Sequence, residues 1–178
     1  MHMTAPFDLR PAGNEYAPYY GRYIDLVPPG DVLVTLEQQM HESQGFLAEI
    51  GEAESGYRYA RGKWSIKQVV GHVVDVERVF AYRALRFARG DGTPLPGIEQ
   101  DELVEGANFD SRPLASLLLE WEHLRRANLA LFASFDAATL LCRGVASECE
   151  FTVRATIFII AGHELHHQNT LHTLYMRR

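Results

Sequence analysis

The chain has 178 residues, 47% hydrophobic and 22% charged, with a formal net charge of -6. That is enough chain for one domain with a real core, and the acidic balance argues against nucleic acid as a partner. No apolar run approaches the roughly 18 residues of a membrane span, no basic-then-apolar leader opens the chain, and two cysteines make no disulfide framework. These features predict a cytoplasmic protein with no membrane partner.

Residues 1–29 are rich in Pro, Gly and Tyr and lack sustained periodicity. They read as an extended arm laid over the domain and anchored by Tyr16, Tyr19, Tyr20 and Tyr23. Residues 30–178 read as a single domain. Asp31 caps a first helix over about 31–50, where Leu33, Leu36, Met40, Leu47 and Ile50 keep helical spacing, and Gly51 ends it. Ser65-Ile66-Lys67-Gln68 has the form of a capping box and opens a second helix over about 65–89. Ser111, with Pro113 in the first turn, starts a third helix that runs to about 135. Leu114, Leu117, Leu118, Trp121, Leu124, Leu131, Phe132 and Phe135 form its apolar stripe. A connection over 136–150 holds a short helical turn near 136–140, and Thr152 caps a fourth helix to about 175. Strand signal is slight. The expected fold is all-α, an antiparallel four-helix bundle, an architecture that places metals between facing helices.

The chain contains eight histidines, and four of them, His163, His166, His167 and His172, lie near its end. His2, in Met1-His2-Met3, is set aside. On a helix, His163 and His167 differ by about 40° around the axis, so one ion can reach both. His166 lies about 60° to the other side of His163, and His172 about 180° away. His163-Glu164-Leu165-His166-His167 also matches the H-E-x-x-H pattern of zinc peptidases, in which the Glu is a general base. Thr173 stands where the extended motif needs a third His, and no acid follows Glu164. A third ligand must therefore come from upstream, and a peptidase is not the reading.

His72 sits mid-way along the second helix on a face with Gln68, Val69, Val76 and Val79. A lone histidine there would be a satisfied core residue. With a His pair on another bundle helix, a shared metal site of His72, His163 and His167 is the better reading. His41 and His123 read as solvated or edge positions. Three neutral imidazoles leave the ion its full charge and an open position, a Lewis acid that brings bound water near pKa 7 or holds a thiolate. The ligand set suits Zn, Ni or Fe. Asp75, one turn from His72, and Glu164, beside His163, could orient an imidazole or act as a base. Arg83, on the same face as His72 but about 16 Å along the axis, would pair with an acid such as Glu120 or meet an anionic substrate tail. Cys142 and Cys149 read as ordinary reduced thiols.

Two stretches resemble the metal motifs of the DinB-like family. One runs from Lys63-Trp64-Ser65-Ile66-Lys67-Gln68-Val69-Val70-Gly71-His72 to Arg78, the other from Thr152-Val153-Arg154 to Gly162-His163-Glu164-Leu165-His166-His167. The resemblance spans nearly the whole chain. It implies a four-helix bundle, often dimeric, with one His on the second helix and two on the last as ligands, here His72, His163 and His167. It also implies a metal-dependent enzyme acting on a small-molecule substrate. The reaction would be hydrolysis or transfer of a low-molecular-weight thiol such as bacillithiol or mycothiol. The alternative is a non-catalytic metal-binding or stress-related bundle.

Overall fold

A computed structural model describes residues 6–176, so His2 lies outside the described residues. The arm carries 3-10 turns at Pro6–Asp8 and Pro18–Tyr20 and a short helix α1, Gly21–Ile24. It then leads to α2, Val32–Ala48, and α3, Glu52–Ser55. Next come α4, Ile66–Ala88, and α5, Gln100–Gly106, followed by α6, Leu114–Phe132, and α7, Ala137–Leu140. A hairpin of β1, Arg143–Ala146, and β2, Cys149–Thr152, precedes α8, Val153–Thr170, which winds into a π-helical turn at Leu171–Tyr175. The four long helices α2, α4, α6 and α8 form the bundle, and none among the described residues is long and apolar enough to cross a membrane.

The caps fix the helix starts. Asp31 accepts from the Leu33 and Val34 amides at 2.7 and 3.4 Å. Ser65 accepts from the Gln68 amide at 3.1 Å while Gln68 accepts from the Ser65 amide at 3.0 Å, a complete capping box. Thr152 accepts from the Ala155 amide at 3.1 Å. Helix three departs from expectation. The Ser111 hydroxyl donates to the Asn108 carbonyl, and Pro113, not Ser111, is the cap residue of α6.

Strand content is slight, as expected, and is confined among the described residues to one hairpin. β1 and β2 pair antiparallel with Arg143 opposite Thr152 and Ala146 opposite Cys149. Their two-residue turn, Ser147 and Glu148, has φ of 51° and 61°, the left-handed pair that a tight hairpin turn requires. Leu95 bridges to the same hairpin, with its amide 2.9 Å from the Val145 carbonyl.

Two glycines permit close packing at the centre of the molecule. A Cβ at Gly162 would lie 2.0 Å from the Tyr23 carbonyl oxygen, so only glycine lets α1 press against α8. A Cβ at Gly71 would lie 2.4 Å from the Phe109 ring. The arm is pinned below this point. Glu15 accepts from the Thr152 hydroxyl at 2.8 Å and from Arg154 Nε at 2.6 Å.

Candidate metal centre

The faces of α4 and α8 that meet in the core carry His72 from one helix and His163 and His167 from the other. His72 Nε2 lies 3.1 Å from His163 Nε2, and His167 Nε2 lies 3.2 Å from the same atom. All three ligand atoms fall within 4.8 Å of one another. A proton can bridge one nitrogen pair, but His163 Nε2 belongs to both pairs. One ion meets all three lone pairs at once. Tetrahedral Zn–N bonds of about 2.0–2.1 Å place neighbouring nitrogens about 3.3 Å apart, close to the observed spacing. The donor set thus fits a divalent ion.

The surroundings keep the donors neutral. Burial pushes His72 down to about 4 and His167 down to about 3, and it holds His163 well below the usual histidine range. The mutual repulsion of the imidazoles lowers His163 and His167 further. Near neutral pH the three lone pairs are therefore free for a cation. The Trp64 ring covers His72 with centroids 4.8 Å apart, and Tyr23 meets His163 edge-on at 5.3 Å.

Two cavities border the group. One, of about 380 Å³, has His72 and His163 in its wall together with Tyr19, Tyr20 and Tyr23 of the arm. The other, of about 310 Å³, has His166, His167, Trp64 and Tyr59 in its wall. Either is large enough for a small molecule.

The remaining histidines stay apart, as the helical angles require. His41, His123, His166 and His172 are exposed, and His172 stacks on Phe46 at 4.1 Å. The carboxylates predicted beside the metal also lie elsewhere. Asp75 is half-buried and lies 3.4 Å from Arg78, on the side of α4 that faces Arg112 and Glu120. Glu164 is buried with its oxygens 2.7 Å from Arg125 Nη2, 2.7 Å from Ser43 Oγ and 3.1 Å from Gln168 Nε2. Neither acid joins the imidazole group. Arg125, Ser43 and Gln168 all donate to the Glu164 carboxylate, which ties α8 to α6 and α2.

Sequence reasoning missed that network. Arg125 donates from Nε and Nη2 to Glu77 at 2.8 and 2.7 Å, and from Nη1 to the Leu36 carbonyl at 2.7 Å. Trp121 Nε1 and Asn128 Nδ2 each donate to Glu77 at 3.0 Å. All four bundle helices are tied at this one buried point. The available signal was Arg125, four residues after Trp121, standing on the apolar stripe of α6 where a charge needs a partner.

The fold and the donor set together define a helical bundle with a candidate three-histidine metal centre on two of its long helices. The DinB superfamily profile matches residues 35–171, and the chain belongs to that superfamily. YfiT from Bacillus subtilis is a probable metal-dependent hydrolase with an unusual four-helix bundle topology. It is 14% identical to this chain, with a TM-score of 0.69 over 99% of this chain and 98% of that one. The mycothiol-dependent maleylpyruvate isomerase is 13% identical, with a TM-score of 0.64 over 77% of this chain and 58% of that one. At these identities the likeness shows a shared fold. No curated protein matches the chain.

Proposed function

We propose that this chain is a metal-dependent enzyme that transfers a low-molecular-weight thiol to a small molecule or hydrolyses a small molecule. The observation that carries the reading is the convergence of three neutral imidazole nitrogens, two buried and one half-buried, in the walls of two cavities. A structural ion would favour a closed four-ligand shell, usually with cysteine. Here Cys142 and Cys149 take no part in the group.

A divalent ion such as Zn, Ni or Fe held by His72, His163 and His167 would supply a Lewis-acid centre that acidifies a water or thiol in its open position. The chain's own residues do the rest. Trp64 and Tyr23 wall the imidazoles off from bulk water, which strengthens electrostatics at the site. The Arg125 network holds α8 against α4 so that the three nitrogens meet without rearrangement. The descriptions of the two neighbours, one a hydrolase and one thiol-dependent, support the two reaction classes.

The test loads the protein with Zn, Ni or Fe and measures turnover with bacillithiol or mycothiol plus an electrophile, and with simple esters. His72→Ala is the control. Turnover that tracks metal content and vanishes in the variant supports the proposal. Stoichiometric metal without turnover on any donor overturns it in favour of a non-catalytic metal-binding bundle.

A further inference from the structure

The molecule buries two arginines with opposite surroundings. Arg125 is 0% exposed and sits between the carboxylates of Glu77 and Glu164. Arg83 is 2% exposed, yet no carboxylate pairs with it among the described residues. Its Nη2 donates to the Pro96 carbonyl and to Ser147 Oγ, each at 3.1 Å, and the Tyr20 phenol interacts with the same guanidinium. Phe80 lies under it, with Cζ 4.8 Å from the ring centroid. None of these partners carries a full negative charge at neutral pH. The acid expected beside it, Glu120, is instead bound by Arg78 and Arg112 at 2.9 and 2.7 Å. Burying an arginine without a counter-ion is costly, and a fold keeps such a cation where an anion completes it.

The place of Arg83 says which anion. Arg83 lines the same cavity as His72 and His163, and so do its neighbours Tyr20, Phe80 and Ser147. The charged end of the side chain, not its stem, therefore meets the cavity. Ser147 is held there by a left-handed backbone that ordinary residues avoid, in the turn of the hairpin. The one acid in the wall of this cavity among the described residues, Glu99, is exposed and forms no ion pair with Arg83. Arg83 follows His72 by eleven residues on α4, about 20° around the axis and about 16 Å along it. Less the reach of the two side chains, that spacing fits a molecule a few bonds long. The planar guanidinium matches a carboxylate, which it can bind through two parallel hydrogen bonds.

We infer that the cavity takes small molecules bearing a carboxylate, held by Arg83 with Tyr20 and Ser147 beside it, while the reacting end lies at the three histidines. This rests on the metal-enzyme reading above and adds the substrate class. It also gives the hairpin a role, since β1 and β2 carry Ser147 to the guanidinium at the far end of the cavity from the imidazoles.

The experiment compares ω-mercaptocarboxylates of graded chain length with ω-mercaptoalcohols of equal length. Binding is measured calorimetrically on the full chain, zinc-loaded and metal-free, beside the zinc content. At the best-fitting length the acid should bind about tenfold tighter than the alcohol or better, with or without zinc, because Arg83 is remote from the histidines. Arg83→Gln should erase that preference with zinc content unchanged, and Arg83→Lys should restore part of it. Equal affinity of acid and alcohol for the unaltered protein overturns the inference, and that comparison needs no variant to fold. Absence of bound zinc counts against the metal reading alone, since the acid-to-alcohol ratio is read in the metal-free protein as well.

Discussion

At the residue scale, the three histidines are neutral in the fold and basic outside it. An unfolded histidine titrates near about 6.5, whereas burial holds His72 at about 4 and His167 at about 3. Between those values the unfolded chain binds protons that the folded chain refuses. Stability is therefore full above about 6.5 and falls as pH drops toward about 3. The slope is at most about 1.4 kcal/mol per pH unit for each histidine. Urea titration of the metal-free protein should show a lower midpoint at pH 5 than at pH 7. His72→Gln should flatten part of that dependence, and equal pH slopes for the two proteins would contradict the assignment. His166 and Arg22 face the same group, and both work in the same direction by disfavouring a charged His167. Angular arithmetic on one helix was enough to choose His163 and His167 and to dismiss His172. The same arithmetic says nothing of where a side chain ends, so it did not show that Asp75 turns to Arg78 and Glu164 to Arg125 rather than into the imidazole group.

At the element scale, the packing of α1 on α8 depends on Gly162. The atom that a new Cβ would strike is a backbone oxygen at 2.0 Å, which no rotamer change relieves. Gly162→Ala should cost about 2–3 kcal/mol, as overpacked cores do, and should loosen Tyr23 from His163. Thermal unfolding gives the first effect, and increased quenching of tyrosine fluorescence by acrylamide gives the second. The long helices were legible because most announce themselves twice, by a cap and by an apolar stripe: Asp31, Ser65 and Thr152 all cap as their sequences suggest. The hairpin was not legible. Its turn is Ser-Glu, where the usual signal is Asn-Gly, and its strands have four residues each. A strand that short has no period to detect, and this one forms because Leu95 and α4 offer it a surface. The element that places Ser147 beside Arg83 is thus the one that tertiary contacts alone dictate.

At the scale of the whole molecule, two buried polar points tie the bundle together by different chemistry. The Arg125 point is complete within the chain: one guanidinium, two carboxylates and their amide and hydroxyl donors. Removing its cation leaves two acids in the core, so Arg125→Met should cost about 3–5 kcal/mol near neutral pH. The deficit should shrink in acid, where the orphaned carboxylates take up protons, if urea midpoints of variant and parent are compared at pH 7 and pH 5. The proposed ion would complete the histidine point from outside, and it would make the stability of the bundle depend on metal concentration. An ion that binds the folded chain alone adds about 4 kcal/mol at a thousand times its Kd, or about 8–16 °C in Tm for a domain of this size. That gain requires ligands on both helices, because a pair on α8 alone leaves α4 unlinked. His72→Ala should abolish the shift even though His163 and His167 remain, while Asp75→Asn should keep it whole. Differential scanning fluorimetry with and without Zn, at one fixed protein concentration, separates these cases. A full shift in His72→Ala would place the ion on α8 only and break the bridge between the helices.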